Sequence, residues 1–240
     1  MKLQQITKQV RKFLPPKYCG AVIVAAGSAS RMEGIDKVMA PLSGEPMLLH
    51  TVRAFQQCDA IREIVVVTRQ DLLMQVTQLC KGFHKVTALV AGGSNRQESV
   101  SAGLSVLSKK VKLVAVHDGA RPLVSGQLID RAVRAAQTYG AAAPAIAVKD
   151  TIKVAKGGLV VSTPDRSALQ AVQTPQVFDV DLLKGALKKA KEDAAEVTDD
   201  CSAVERLGMK VKLVAGEERN MKITTPIDLK IAQMLMEESL

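Results

Sequence analysis

Between residues 20 and 148, short apolar runs alternate with segments of helical periodicity, and few folds accept that rhythm. The first run, residues 20–26, is too short for a helix and ends in small residues, so it reads as a buried parallel strand. Further strands are expected at 63–68, 87–91, 113–117 and 142–148. Helices are expected over 46–58, 71–80 and 97–107, and a fourth is opened by Ser125 and closed by Gly140. Strands and helices in this order imply right-handed crossovers and a mostly parallel sheet covered on both faces. Such sheets bind ligands beyond the carboxyl ends of their strands. The loop after residue 26, the pair Gly92-Gly93 and Asp118 all fall at those ends.

The rhythm then breaks. Residues 151–162 read as a hairpin with Gly157-Gly158 at its turn. Two strands alone are marginal, so this projection must pack on its own domain or on a second subunit. Helices near 181–191 and 199–207, a strand at 210–215 and a last helix started by Thr225, Pro226 and Asp228 complete the α/β pattern. At the other end, Leu3, Ile6, Val10 and Phe13 recur at helical spacing until Pro15-Pro16. That spacing predicts a docking helix over 1–17, added to one domain over 18–240 with an inserted arm over 150–166.

Aromatic residues make up 2% of the chain, which leaves aliphatics to fill the core and argues against base-stacking platforms for single-stranded nucleic acid. The formal charge of +9 is spread without an arginine-rich tract, so small phosphorylated ligands are expected rather than nucleic acid. Four cysteines stand far apart with no metal-type spacing, as in a reduced, cytoplasmic protein. No run approaches the ~20 apolar residues that span a bilayer, so no membrane partner is expected.

Gly27, Ser28, Ala29 and Ser30 carry almost no side-chain bulk, and their backbone N–H groups can approach a polyphosphate, with Arg31 and Lys37 adding charge. An ordinary strand-to-helix turn fits the same residues. The loop lacks the Gly-Lys-Ser/Thr of a Walker motif, and Ala29 breaks the dinucleotide fingerprint. Asp118 follows an apolar run, where a carboxylate can hold Mg²⁺ together with substrate phosphates or simply cap a turn. Arg121 could clamp a phosphate or pair with an acid. His117 should point to the opposite face, where it serves the core or supports the site from behind rather than acting as a base. One metal-type carboxylate, several cations and glycine loops, without a nucleophile–base pair, suit phosphoryl or nucleotidyl transfer.

Taken together, Ala25-Ala26-Gly27 with Arg31-Met32 and Lys37, Gly92-Gly93 with Arg96-Gln97 and Ser99, and the run from His117 to Pro122 form a specific pattern. Asp150-Thr151, Thr174-Pro175-Gln176, Thr198-Asp199-Asp200 and Asn220-Met221-Lys222 extend it. In these residues the chain resembles the 2-C-methyl-D-erythritol 4-phosphate cytidylyltransferase family of non-mevalonate isoprenoid biosynthesis. The resemblance implies a homodimer with a Rossmann-like nucleotidyltransferase fold, whose arm completes the neighbour's site. It implies that Ala25, Ala26, Gly27, Gly92, Gly93, Ser94 and Ser99 bind CTP, and that Asp118 holds Mg²⁺. Arg31, Lys37 and Lys222 would be catalytic. Arg121 would bind the sugar-alcohol phosphate, with Thr151, Arg166 and Thr174 reaching across from the partner.

Three departures from the family pattern stand out. Arg31 and Lys37 are six positions apart, one fewer than usual, and Asp36 and Val38 flank the lysine in place of Pro and Gln. Ser94 replaces an acidic residue, which leaves cytosine contacts there to the backbone. Two rival readings share features of the chain: a ribitol 5-phosphate cytidylyltransferase and a non-catalytic basic binding module.

Overall fold

The computed structural model describes residues 18–27 and 36–238. The expected helix over 1–17 and the loop residues Ser28, Ala29, Ser30 and Arg31 lie outside the described residues. The opening apolar run forms β1 (Cys19–Ala25). A small hairpin follows, β2 (Pro41–Leu42) and β3 (Glu45–Pro46), turned by Ser43 and Gly44 at positive φ. The alternation continues through α1 (Met47–Gln57), β4 (Ile61–Thr68), α2 (Leu73–Cys80), β5 (Val86–Ala91) and α3 (Arg96–Val106). Then come β6 (Leu113–Asp118), α4 (Gly126–Tyr139) and β7 (Ala141–Ala147). Ser125 caps α4 through Leu128 N–H, and Gly140 closes it, as the sequence predicts.

The hairpin arm is β8 (Val154–Lys156) and β9 (Leu159–Ser162), which pair with each other apart from the main sheet. The chain returns through β10 (Gln170–Val172), β11 (Gln176–Asp179), α5 (Val180–Glu192), α6 (Asp200–Glu205), β12 (Lys212–Ala215) and α7 (Pro226–Glu237). Across the sheet the order is β12, β7, β11, β6, β1, β4, β5. β10 and β11 lie end to end along one edge of β7, because Ala145 pairs with Val172 on one side and Ala215 on the other. Both run antiparallel to their neighbours; the other pairs are parallel.

The sequence reading has no strands at 170–172 or 176–179. Their apolar runs are too short to register, and the polar pair Gln173-Thr174 with the cis Thr174–Pro175 peptide separates them. The period-2 pattern of β1 explains the layers. Ala21, Ile23 and Ala25 face α1, α2 and α4, packing with Val52, Phe55, Val76 and Leu128. Val22 faces α3, α5 and α6, packing with Leu104, Leu183 and Val204. All four cysteines are buried and unbridged.

Candidate active site

The site grows from the ends of β1 and β6, neighbouring parallel strands in which Val24 pairs with Asp118. Asp118 carries three cations: Lys222 Nζ at 2.8 Å, Arg96 Nε at 3.6 Å and Arg121 Nε at 3.8 Å. Burial alone would raise its pKa. Lys222, Arg96 and Arg121 outweigh that and hold the carboxyl well below its ordinary range. Asp118 therefore stays ionised at any physiological pH.

A cleft of about 350 Å³ opens over this aspartate. Ala25, Ala26 and Gly27 line it from the end of β1, and Gly93, Ser94 and Ser99 from the start of α3. Lys37, Arg96 and Lys222 bring positive charge to the same space. Gly92 marks where the two loops touch: a Cβ there would lie 2.4 Å from Ala26 Cβ and 2.7 Å from Ser99 Oγ. The next loop residues are shaped from α3. Gly93 N–H donates to Ser99 Oγ at 3.2 Å, and the Ser99 hydroxyl donates to Asn95 O at 2.9 Å. Ser94 donates through both N–H and Oγ to Glu98 Oε2. Ser99 thus holds the loop with its hydroxyl while also lining the cleft.

Lys37 sits in a 3-10 turn, Lys37–Met39, whose cap is Asp36. Asp36 accepts from Val38 N–H and pairs with Arg69 at the end of β4. The unusual residue before the lysine therefore anchors the turn to the sheet.

Beneath Asp118 lies a buried relay. Asp118 N–H donates to Thr174 Oγ1 at 3.1 Å, and Oγ1 is 3.0 Å from His117 Nδ1. His117 Nε2 is 3.2 Å from Arg121 O. A carbonyl only accepts, so Nε2 carries the proton and Nδ1 accepts from threonine. Burial pushes the His117 pKa down to about 3, which keeps the ring neutral. His117 is thus fully buried and supports Asp118 from behind through Thr174.

Thr174 is buried against Asp118 of its own chain, where its hydroxyl accepts from the Asp118 N–H. Arg121 is also largely committed, donating through Nη1 to Asn220 O at 2.6 Å. Thr151 and Arg166 are exposed on the arm, off this cleft, where Arg166 donates to Lys149 O. Arg31 lies outside the described residues.

Sequence reasoning assigned no role to Arg96. It bridges Asp118 and the buried Asp200, at 2.7 Å from the latter, and these carboxylates outweigh its burial to keep it charged. Asp200 in turn is fixed by Gln176, whose Oε1 accepts from the N–H groups of Asp200 and Cys201. Arg96, Gln176 and Asp200 were all within recognised motifs, and only the fold gives them a joint task. A larger groove of about 1160 Å³ runs between α3 and α5, lined by Lys184, Lys188 and Lys191. The smaller cleft is the one that gathers Asp118, Lys37 and Lys222.

An open α/β sheet with glycine loops and a cation-ringed aspartate at its strand ends defines a nucleotidyltransferase-type protein. Residues 19–238 match the family model described as IspD, 2-C-methyl-D-erythritol 4-phosphate cytidylyltransferase, and the chain belongs to that family. A relative of that name from Caldanaerobacter subterraneus is 45% identical over 225 residues, covering 90% of this chain and 97% of its own. One from Desulforamulus reducens is 46% identical over 222 residues, covering 90% and 94%. Among solved structures, 4-diphosphocytidyl-2C-methyl-D-erythritol synthase from Anaerococcus prevotii superposes with a TM-score of 0.84 at 30% identity, over 93% of this chain and all of that one. The cytidylyltransferase from Thermus thermophilus gives 0.75 at 35% identity, over 90% and 98%. Among the described residues, no helix is long and apolar enough to cross a membrane.

Proposed function

We infer that this chain is a cytidylyltransferase that moves CMP from CTP to 2-C-methyl-D-erythritol 4-phosphate in isoprenoid biosynthesis. The observation that carries the reading is the Lys222–Asp118 pair at 2.8 Å on the floor of a glycine-rimmed cleft. An oxygen of the acceptor phosphate, anionic near neutral pH, attacks the α-phosphorus of CTP. The new P–O bond forms as the bond to the bridging oxygen breaks, and pyrophosphate leaves. No general base is required. Lys37 and Lys222 offset the charge that develops on the phosphates, joined by Arg31 on the strength of the family pattern.

Asp118 is the residue for Mg²⁺. Among the described residues no three His, Cys, Asp or Glu side chains form a metal cage. A single ionised carboxylate facing a cleft fits Mg²⁺, which is held by one or two carboxylates plus substrate phosphates. When bound, the ion supplies charge neutralisation at those phosphates.

The arm supports a homodimer. Leu159, Val160 and Val161 are 75%, 61% and 65% exposed, so this strand is apolar and open on both faces, surface that a second copy would cover. Thr151 and Arg166 would then reach the neighbour's acceptor phosphate beside its Arg121. Four reduced, buried cysteines fit a cytoplasmic location. The test is pyrophosphate release with Mg²⁺, CTP and each candidate acceptor in turn. Turnover is expected with methylerythritol phosphate; turnover with ribitol 5-phosphate instead would replace this reading.

A further inference from the structure

Lys222 reaches Asp118 from a segment without helix or strand, so tertiary bonds must hold it. Two of them tie the segment to the turn after β6. Ile223 N–H donates to Ala120 O at 2.9 Å, and Arg121 Nη1 donates to Asn220 O at 2.6 Å. The other side of the segment is clasped by two buried amides. Asn220 Nδ2 donates to Thr174 O at 2.8 Å and to Gln173 Oε1 at 3.3 Å. Gln173 also exchanges two bonds with the Glu217 backbone, at 2.8 and 3.2 Å.

The clasp is tight. A Cβ on Gly216 would lie 2.7 Å from Gln173 Oε1 and 2.9 Å from the Ala145 carbonyl. Asn220 Oδ1 is buried there, with no hydrogen-bond partner among the described residues.

We propose that Gln173 and Asn220 are positioning residues for Lys222, fixing the backbone from which its ammonium meets Asp118 and the phosphates. This rests on the catalytic reading of Lys222 given above. The two amides touch neither substrate nor reacting atoms; they act through the lysine.

Steady-state kinetics test this in the full-length protein, with Asn220→Ala introduced into the native chain and into Lys222→Ala. Displacing a catalytic group slightly is expected to lower kcat roughly 10-fold, with KM for CTP within about twofold. In the Lys222→Ala background the same change should cost nothing further. Gln173→Met should behave alike, and thermal melting reports folding independently. A kcat loss that persists without Lys222, or that follows the melting temperature, overturns the positioning role. Failure of both variants to fold does the same, in favour of a structural one. If Lys222→Ala alone keeps full kcat, the fault lies instead with the reading of Lys222.

Discussion

Thr174 Oγ1 lies 3.0 Å from His117 Nδ1, so the threonine hydroxyl joins this buried ring to the Asp118 backbone above it. With Arg121 O accepting at the other nitrogen, the imidazole has a single tautomer, proton on Nε2. Its pKa falls from 6.5 to about 3 through burial. A depressed folded value means that the stabilisation is fully present above pH 6.5 and is lost as pH falls toward 3. Nitrogen NMR of labelled histidine should report the Nε2–H form, unchanged across pH 5 to 8. Acid unfolding should steepen below about pH 6 in the native chain and less so in His117→Gln.

Gly92 has a steric duty. Because a methyl group there would overlap Ala26 Cβ at 2.4 Å, Gly92→Ala must part the two loops that rim the cleft. Overpacking of this kind costs about 1–3 kcal/mol. Calorimetric titration with CTP should show affinity weakened by roughly 10-fold or more, as a 1.4 kcal/mol penalty implies. Unchanged CTP binding would separate this glycine from the nucleotide site.

The buried end of the Arg96–Asp200 pair makes a stability prediction. Asp200 is 1% exposed and Arg96 29%, so removing the carboxylate leaves a partly desolvated cation that can only press on Asp118. Urea denaturation of Asp200→Ala should show a loss of about 3 kcal/mol, the lower end for breaking a buried pair. A change near zero would mean that solvent already screens the guanidinium.

Much of this fold was legible in sequence because parallel strands buried on both faces are continuous aliphatic runs, as at Ile64, Val65, Val66 and Val67. The antiparallel return through β10 and β11 was not, since Gln173 and Thr174 interrupt it with the very polar groups that organise the site. Single residues at strand ends, such as Asp118, were readable from position. Arg96 and Asp200 were not, because they lie 104 residues apart and meet only when α3 and α6 cover the same face of the sheet.

The arm predicts complementation. Arg166→Ala should raise KM for the acceptor phosphate more than KM for CTP. Mixed dimers with Arg166→Ala on one chain and Lys222→Ala on the other should regain one working site, because the intact cleft would meet the intact arm. Inactive mixed dimers would confine each site to its own chain.

The most direct test of cytidylyl transfer is phosphorus NMR of the protein with Mg²⁺, CTP and 2-C-methyl-D-erythritol 4-phosphate. The account predicts equal growth of pyrophosphate and of a coupled pair of signals from a new diphosphate diester. Signals of CTP and acceptor that stay unchanged, or a nucleoside diphosphate with free phosphate as products, would contradict it.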